Sequence, residues 1–347
     1  MLPGPTNSLT DVAGLRVGHA TRREPGWLTG TTVVVPGDGA VCGVDVRGGG
    51  PGTRETDLLD PLNLVDRVNA VMLGGGSVFG LAAADGIVRA LYAEGRGWPF
   101  GEPGQVAPIV PGAVLFDLDR GGEVGHFPGP DEGSAAYAAA DSGPVEQGAV
   151  GAGTGAASGG LKGGIGTAST VLPDGTIVGA LLAVNSAGSP IDPRTGELWA
   201  VRHGLDGEFD HIGVPTAEEA AAERERAAAR LAERMNAAQA TTLGVVATNA
   251  TLTKAQCQKV AGMGHDGLAR AINPVHTLVD GDTLFTLATG ERPAPDLMGL
   301  FLLMQAAGDC VTRAIAHGLL AAESVDCTDQ GGVALRSWRD AFPSAVR

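Results

Sequence analysis

TAEEAAAERERAAARLAERMNAAQA (216–240) runs directly into TTLGVVATNA (241–250), and the change of texture at that junction organises the chain. The first stretch is built mainly from Ala, Glu and Arg. It has strong helix propensity but few large apolar side chains to bury, so it reads as a solvated helix or linker. The second returns to core texture and reads as a strand opened by a hydroxyl residue, Thr241. Threonine is a common strand residue, and on that reading Thr241 needs no further role. If the chain broke between Ala240 and Thr241, however, one residue would carry both a hydroxyl and a free α-amine. An α-amine, with a pKa near ~7.7–8.0, can serve at neutral pH as the general base a threonine nucleophile needs.

Downstream of the junction, Thr253 and Gln256 form a capping-box pattern that predicts a helix through Ala271. TLFTLAT (283–289) predicts a strand, and Pro293 and Pro295 precede a long helix from about Asp296 past Ala316. Between these elements lies Asp280-Gly281-Asp282, which has two readings. It is either an Asp-Gly hairpin turn or a carboxylate pair that orients a nucleophile or fixes a nearby amine. Upstream, the glycine-dense GAVGAGTGAASGGLKGGIGTAST (148–170) leads into TIVGALLAVN (176–185), which predicts a central strand. TTVVVP (31–36) and VCGVDV (41–46) flank Gly-Asp-Gly and predict a hairpin. RGGGPGTRETD (47–57) predicts a loop and NAVMLGGG (69–76) a short apolar run. Ser77 is positioned to cap a helix through LAAADGIVRALYAEG (81–95). APIVPGAVLFDL (107–118) predicts two buried strand pieces joined at Pro111-Gly112. Strands interleaved with long helices indicate an α/β protein. The βαβ rhythm is too irregular for a doubly wound sheet and hairpin-like pairs are frequent, so a layered helix–sheet–sheet–helix sandwich fits better.

At 347 residues the chain can bury one large core or two ordinary ones. Aromatics are only 4% while glycine reaches 55 residues, which implies sheets and helices brought close on small side chains. The formal net charge of −15 repels phosphate backbones and anionic lipid, so neither nucleic acid nor a membrane is an expected partner. Cys42, Cys257, Cys310 and Cys327 make no disulfide framework and no zinc spacing. The histidines show no metal-ligand spacing either, so no metal is expected. Residues 1–12 lack a secretory signal. The apolar run 297–304 is far short of the ~20 residues of a membrane helix. A cytoplasmic location is the default expectation. GAGTGAASGG (151–160) carries Gly151 and Gly153 of a dinucleotide fingerprint but Ala156 in third place. No helix follows and the acidic partner is missing, so no nucleotide cofactor is expected. GGGSVFG (74–80) misses the G-x-S-x-G elbow, which leaves Ser77 the capping role.

Several long stretches resemble the P1-type aminopeptidases, which include the L-aminopeptidase/D-esterase, the β-aminopeptidases and the nylon-oligomer endo-hydrolase. These stretches are GVDVRGGGPGTRETDLL (43–59), NAVMLGGGSVFGLAAADG (69–86), PIVPGAVLFDL (108–118), GAGTGAASGGLKGGIGTAS (151–169), TTLGVVATNATLTKAQ (241–256) and RAINPVHTLVDGDTLFTLATG (270–290). They keep their order over nearly the whole chain.

The resemblance implies a four-layer αββα sandwich, one domain made as a single precursor and cut once by itself into chains 1–240 and 241–347. Segment 216–240 would be an exposed helix or linker, and the enzyme a homo-oligomer, a tetramer or larger. It implies a hydrolase with an N-terminal threonine nucleophile, acting on small peptides, amides or esters without a cofactor. Thr241 matches the nucleophile and Ala240 the acyl side of the cleaved bond. Lys162 matches the lysine near the nucleophile, and Asn185 the asparagine that orients the new amine or helps hold the oxyanion. Asp280 and Asp282 match the acidic pair that positions the nucleophile; their charge would also suit a substrate ammonium. Two departures stand out. Phe116 occupies the place of a tyrosine whose phenol faces the oxyanion in some members, and residue 240 is alanine where glycine or asparagine occurs in relatives. Readings of other kinds are an acyltransferase of similar fold, a nucleotide-binding protein using 151–155, and an uncut, non-catalytic scaffold.

Overall fold

The computed structural model describes residues 1–234 and 240–346; residues 235–239, part of the stretch read as linker, and residue 347 lie outside the described residues. Side chains alternate between the two faces of a strand, and in the central strands here, such as Ile177–Val184 and Leu243–Ala250, both faces are buried. In Ile177–Val184, residues 178, 180, 182 and 184 pack with one apolar cluster while 181 and 183 pack with another. Val246 and Leu284 follow the first set; Val245, Phe285 and Leu287 follow the second. That is why these strands read in the sequence as unbroken apolar runs rather than as alternating ones.

The larger sheet has seven strands in the order Leu2–Pro3, Gly164–Val171, Ile177–Val184, Leu243–Ala250, Thr283–Arg292, Ala40–Val46, Arg67–Val68. Leu243–Ala250 and Thr283–Arg292 are parallel, joined by the Lys254–Ala271 helix, and the other neighbours are antiparallel. A smaller sheet of five strands runs Leu15–Arg22, Thr29–Pro36, Val71–Gly74, Gly112–Val114, Gly52–Arg54. One apolar cluster lies between the two sheets, with Val34, Leu73 and Leu115 facing Leu181, Val245 and Phe285. A second lies between the larger sheet and the helices Lys254–Ala271 and Leu297–Ala321. A third lies between the smaller sheet and the helices Ala83–Ala93 and Pro130–Ala138.

The Thr253/Gln256 capping box and the helix through Ala271 are as the sequence indicates, the strand expected at 283–289 extends to Arg292, and the long helix expected from about Asp296 is Leu297–Ala321, with Asp296 as its cap. In the stretch read as a solvated helix or linker, the side chains of 217–229 are mostly exposed. Ala217–Arg234 is helical, with Ala220 and Glu223 buried, and its start is pinned where Ser344 N–H donates to Glu219 at 3.0 Å.

Other expectations give way to tertiary structure. The 31–36 and 41–46 pair is not a hairpin. Thr29–Pro36 has both edges occupied by Leu15–Arg22 and Val71–Gly74, so the chain crosses at 37–39 to the other sheet, where Ala40–Val46 pairs with Thr283–Arg292. Ser77 is not a cap. Its N–H donates to Leu115 O at 2.9 Å and the N-cap is Gly76 at φ 79°, so Ser77 starts a single turn, Ser77–Gly80, ahead of the separate Ala83–Ala93 helix. The 47–57 loop contributes a strand, Gly52–Arg54. In 107–118 only Gly112–Val114 joins the smaller sheet, because Val106–Ala107 pairs with Trp98–Pro99 in a separate ribbon. The Leu297–Ala321 helix as a whole is long and apolar enough to cross a membrane; 56% of its most apolar window is buried, and it packs on Lys254–Ala271 and the larger sheet.

The glycine-dense tract ends in the Gly164–Val171 strand, which packs directly on Leu297–Ala321. A Cβ on Gly166 would lie 1.9 Å from Ala314 O and 2.4 Å from Gly318 N, both rigid backbone atoms. Gly166→Val should therefore lower the melting temperature by several degrees, since overpacking of this kind costs about 1–3 kcal/mol. Gly125→Ala, where an added Cβ meets nothing within 4 Å, should leave it unchanged. Beneath the same helix, the Glu208 carboxylate accepts from the buried Arg313, His317 and Asn7. Burial alone would raise the Glu208 pKa, but these hydrogen bonds and the Arg313 charge outweigh it and hold the group at about 2. A depressed carboxyl stabilises the fold fully above its unfolded value and loses that contribution as pH falls toward the folded one. Wild type should thus lose stability between pH ~4.5 and ~2 more steeply than Glu208→Gln, as thermal melts across that range would show.

Candidate active site

Residues 240–242 enter the larger sheet just before Leu243–Ala250, between the end of Ile177–Val184 and the segment leading into Thr283–Arg292. Backbone bonds fasten them on both sides. Thr241 N–H donates to Asn185 O at 2.6 Å, Ala240 N–H to Val279 O at 3.1 Å, and Gly281 N–H to Ala240 O at 2.9 Å. Ala240 and Asp280 so form an isolated parallel bridge. Ala240 is 7% exposed and Thr241 4%. The Thr241 hydroxyl, Oγ1, donates to the carbonyl oxygen of Ala240 at 2.6 Å. The carbonyl of the Ala240–Thr241 peptide therefore accepts two hydrogen bonds, and one comes from the only side-chain oxygen of the following residue.

Asp280 and Asp282 are both 1% exposed. The hairpin reading of 280–282 does not hold, because Thr283–Arg292 pairs with Leu243–Ala250 and Ala40–Val46, neither of which adjoins it in sequence. Asp280 accepts from Ala187 N–H at 3.1 Å and from the Thr277 N–H and hydroxyl. Asp282 accepts from Thr242 N–H at 2.8 Å, and from the His276 N–H at 3.2 Å and Nδ1 at 2.8 Å. The Asp282 carboxylate thus grips the backbone just after Thr241, the Asp280 carboxylate ties the 277–280 turn to Ala187, and the Thr241 hydroxyl is turned to Ala240 O.

Gly281 has to be glycine, since a Cβ would sit 2.6 Å from Thr241 Oγ1 and 2.7 Å from Gly50 O. The 47–50 stretch braces this loop, with Arg47 N–H donating to Asp282 O at 3.0 Å and Gly50 N–H to Asp280 O at 2.8 Å.

On the other side of Thr241, Asn185 Oδ1 accepts from Arg120 at 2.7 Å and from Ala157 N–H at 3.0 Å, while its amide donates to Phe116 O at 3.3 Å. Phe116 meets Asn185 through its backbone carbonyl. The Lys162 ammonium is fully buried and donates to Gly153 O at 2.9 Å and Gly163 O at 2.7 Å; Thr241 is not among its hydrogen-bond partners. Burial, with the Arg120 and Arg23 charges adding to it, pushes the Lys162 pKa well below the usual lysine range against the pull of Asp117. Burial likewise raises the Asp117 carboxyl, although Gly76 N–H and Arg120 oppose it.

Sequence reasoning singled out Thr241, Ala240, Asn185, Asp280 and Asp282, and the structure brings all five together; Lys162 braces the neighbouring glycine tract. It did not find Gly281 N–H, Val279 O, Arg120 or His276. The first two are backbone groups with no side-chain signature. His276 was visible in principle, because HTLVDGD (276–282) sets Thr277 three residues before Asp280 and His276 six before Asp282. Its Nε2 is buried without a hydrogen-bond partner among the described residues, and its ring meets His265 edge-on, centroids 4.7 Å apart. Burial foremost, with His276 adding, brings the His265 pKa down to about 4 against its bond to Asp45 O, so His265 is neutral at physiological pH.

A cavity of about 700 Å³ opens elsewhere, lined by Asp38, Arg67, Trp98 and Lys254 among others; none of the Thr241 cluster lines it. Among the described residues no group of three His, Cys, Asp or Glu side chains is arranged to hold a metal ion.

Known proteins bear on this arrangement. The sequence model of peptidase family S58 matches residues 7–332. An uncharacterised aminopeptidase of Mycobacterium tuberculosis is 46% identical over 359 aligned positions, covering 98% of this chain and 99% of that protein. A 6-aminohexanoate-oligomer endohydrolase of a Kocuria species is 30% identical, covering 90% of this chain and 82% of the relative. Among solved structures, the L-aminopeptidase D-Ala-esterase/amidase of Ochrobactrum anthropi, described as a variant of the Ntn hydrolase fold, superposes with a TM-score of 0.74. That match has 22% identity over 97% of this chain and 92% of the other, and it speaks for the fold alone. The resemblance read from the sequence therefore holds, and the chain belongs to peptidase family S58.

Proposed function

We propose that this peptidase-family hydrolase cuts itself once, between Ala240 and Thr241, and then uses Thr241 as an N-terminal nucleophile on small peptides, amides or esters. The observation that carries this reading is the contact of Thr241 Oγ1 with the Ala240 carbonyl oxygen, on which Gly281 N–H also converges. Attack by Oγ1 on the Ala240 carbonyl carbon places negative charge on that oxygen, and Gly281 N–H is already aimed at it. The C–N bond then breaks, the Thr241 nitrogen takes the proton, and an ester remains. Water cleaves the ester and returns the hydroxyl.

Chains 1–240 and 241–347 would stay together, because Leu243–Ala250 is hydrogen-bonded on both edges inside the larger sheet. Together they make one four-layer αββα sandwich. The freed amine is held by Asn185 O, which keeps the built-in base beside its own hydroxyl. Asp282 holds the backbone just after it through Thr242 N–H, and Asp280 fixes the 277–280 turn against Ala187, beside the Asn185 carbonyl that meets the amine. Lys162 braces the glycine tract from within, through Gly153 O and Gly163 O. With phenylalanine at 116, oxyanion stabilisation falls to backbone N–H groups and the Asn185 amide.

Intact mass of the purified protein is expected to show two fragments, 1–240 and 241–347, with Thr241→Ala remaining one chain. A fully active preparation made of one uncut polypeptide would end this reading. Asp282→Asn weakens the charge-assisted bonds to Thr242 N–H and His276, worth about 1.5–3 kcal/mol each to a charged group. Self-cleavage of freshly synthesised chain should slow at least about tenfold, followed on gels over time. An unchanged rate would remove Asp282 from the positioning of Thr241.

A further inference from the structure

We infer that the place held by residue Ala240 in the uncut chain is the acyl-binding site of the cut enzyme, and that it takes small L-α-aminoacyl groups. This rests on the self-cleavage reading above.

When Thr241 Oγ1 takes the carbonyl of Ala240, the product is an alanyl ester of a threonine with a free amine. When the cut enzyme takes the acyl group of an alanyl amide, the Oγ1–C bond forms, the C–N bond breaks, and the leaving amine departs with the proton. The resulting species is again an alanyl ester of Thr241. The two esters differ only in what precedes the alanyl nitrogen. Water then attacks either one, the C–Oγ1 bond breaks, and the hydroxyl regains its proton. The same neighbouring groups must serve both hydrolyses.

Those groups are already in place around Ala240. Its N–H donates to Val279 O at 3.1 Å and its carbonyl oxygen accepts from Gly281 N–H at 2.9 Å, as in a strand paired with 279–281. A single Cα separates that N–H from that carbonyl. A β-aminoacyl or longer ω-aminoacyl group inserts methylenes between them and cannot meet both partners in this register. Side-chain size is restricted as well. Residue 240 is 7% exposed, so the methyl of Ala240 is enclosed and each added methylene must displace packed atoms.

The test compares two series on the same protein. One is the rate of self-cleavage of wild type, Ala240→Gly, Ala240→Val and Ala240→Leu, followed by intact mass. The other is kcat/KM of the cut wild-type enzyme on glycyl, L-alanyl, L-valyl, L-leucyl, D-alanyl and β-alanyl p-nitroanilides. The expected result is the same order in both, falling from Ala to Val to Leu. L-alanyl p-nitroanilide should lie at least about tenfold above the leucyl, D-alanyl and β-alanyl substrates. The substrate series needs no variant, so a misfolded Ala240→Leu does not blunt it. If wild type is cut but prefers leucyl or β-alanyl substrates, or the two orders run oppositely, this inference is overturned while self-cleavage stands. If wild type is never cut, the reading beneath it fails and takes the inference with it.

Discussion

The Ala240 carbonyl oxygen accepts one hydrogen bond from the Thr241 hydroxyl and another from Gly281 N–H, and the surrounding structure is arranged to keep these three groups in register. A hydroxyl on a free chain would sample several rotamers and would point at water most of the time. Here residue 241 is buried, its nitrogen is tied to Asn185 O, and the next N–H is tied to Asp282. Each bond removes rotational freedom from Thr241 and fixes its hydroxyl against the carbonyl. The constraint is inherited from the sheet. Leu243–Ala250 lies between an antiparallel and a parallel neighbour, so the residues leading into it emerge at one position and in one direction.

That precision depends on glycine at close approaches. Gly281 passes the Thr241 hydroxyl where no Cβ fits, and Gly48 passes the Asp282 nitrogen and the Asp280 carbonyl in the same way. Gly166 lets Gly164–Val171 lie against the backbone of the long C-terminal helix. A core of small residues allows such approaches but supplies less apolar area per side chain than aromatics would. The compensation is that the central strands are buried on both faces, giving three apolar layers in place of one.

Buried charge is handled by saturation. Asp280 and Asp282 are almost wholly buried, yet each accepts three hydrogen bonds, mostly from backbone N–H groups and from side chains in the same short loop. Glu208 is held ionised by Arg313, His317 and Asn7 at the opposite side of the larger sheet's helices. A carboxylate paired this fully is a rigid strut, because losing any donor would leave charge uncompensated in a dry site. Asp282 therefore acts on Thr241 through the backbone that carries it, and Asp280 through the turn that runs alongside it.

Local sequence was enough for the α/β class, the capping box that opens the helix through Ala271, the start of the last long helix and the apolar strands within 176–185, 241–250 and 283–289, while the grouping of Thr241, Asn185, Asp280 and Asp282 followed from resemblance to the family. These features are legible because caps act over three residues, because double-sided burial forces continuous apolar runs, and because chemistry-bearing side chains keep their order along the chain. Tertiary structure alone decided that 31–36 and 41–46 part to different sheets, that Ser77 is drawn into a turn rather than capping one, and that the donor facing the Ala240 carbonyl is the N–H of Gly281. Partner choice between strand edges depends on which edges other strands already occupy, and backbone N–H and C=O groups look alike at every residue. Neither kind of information is written in local sequence.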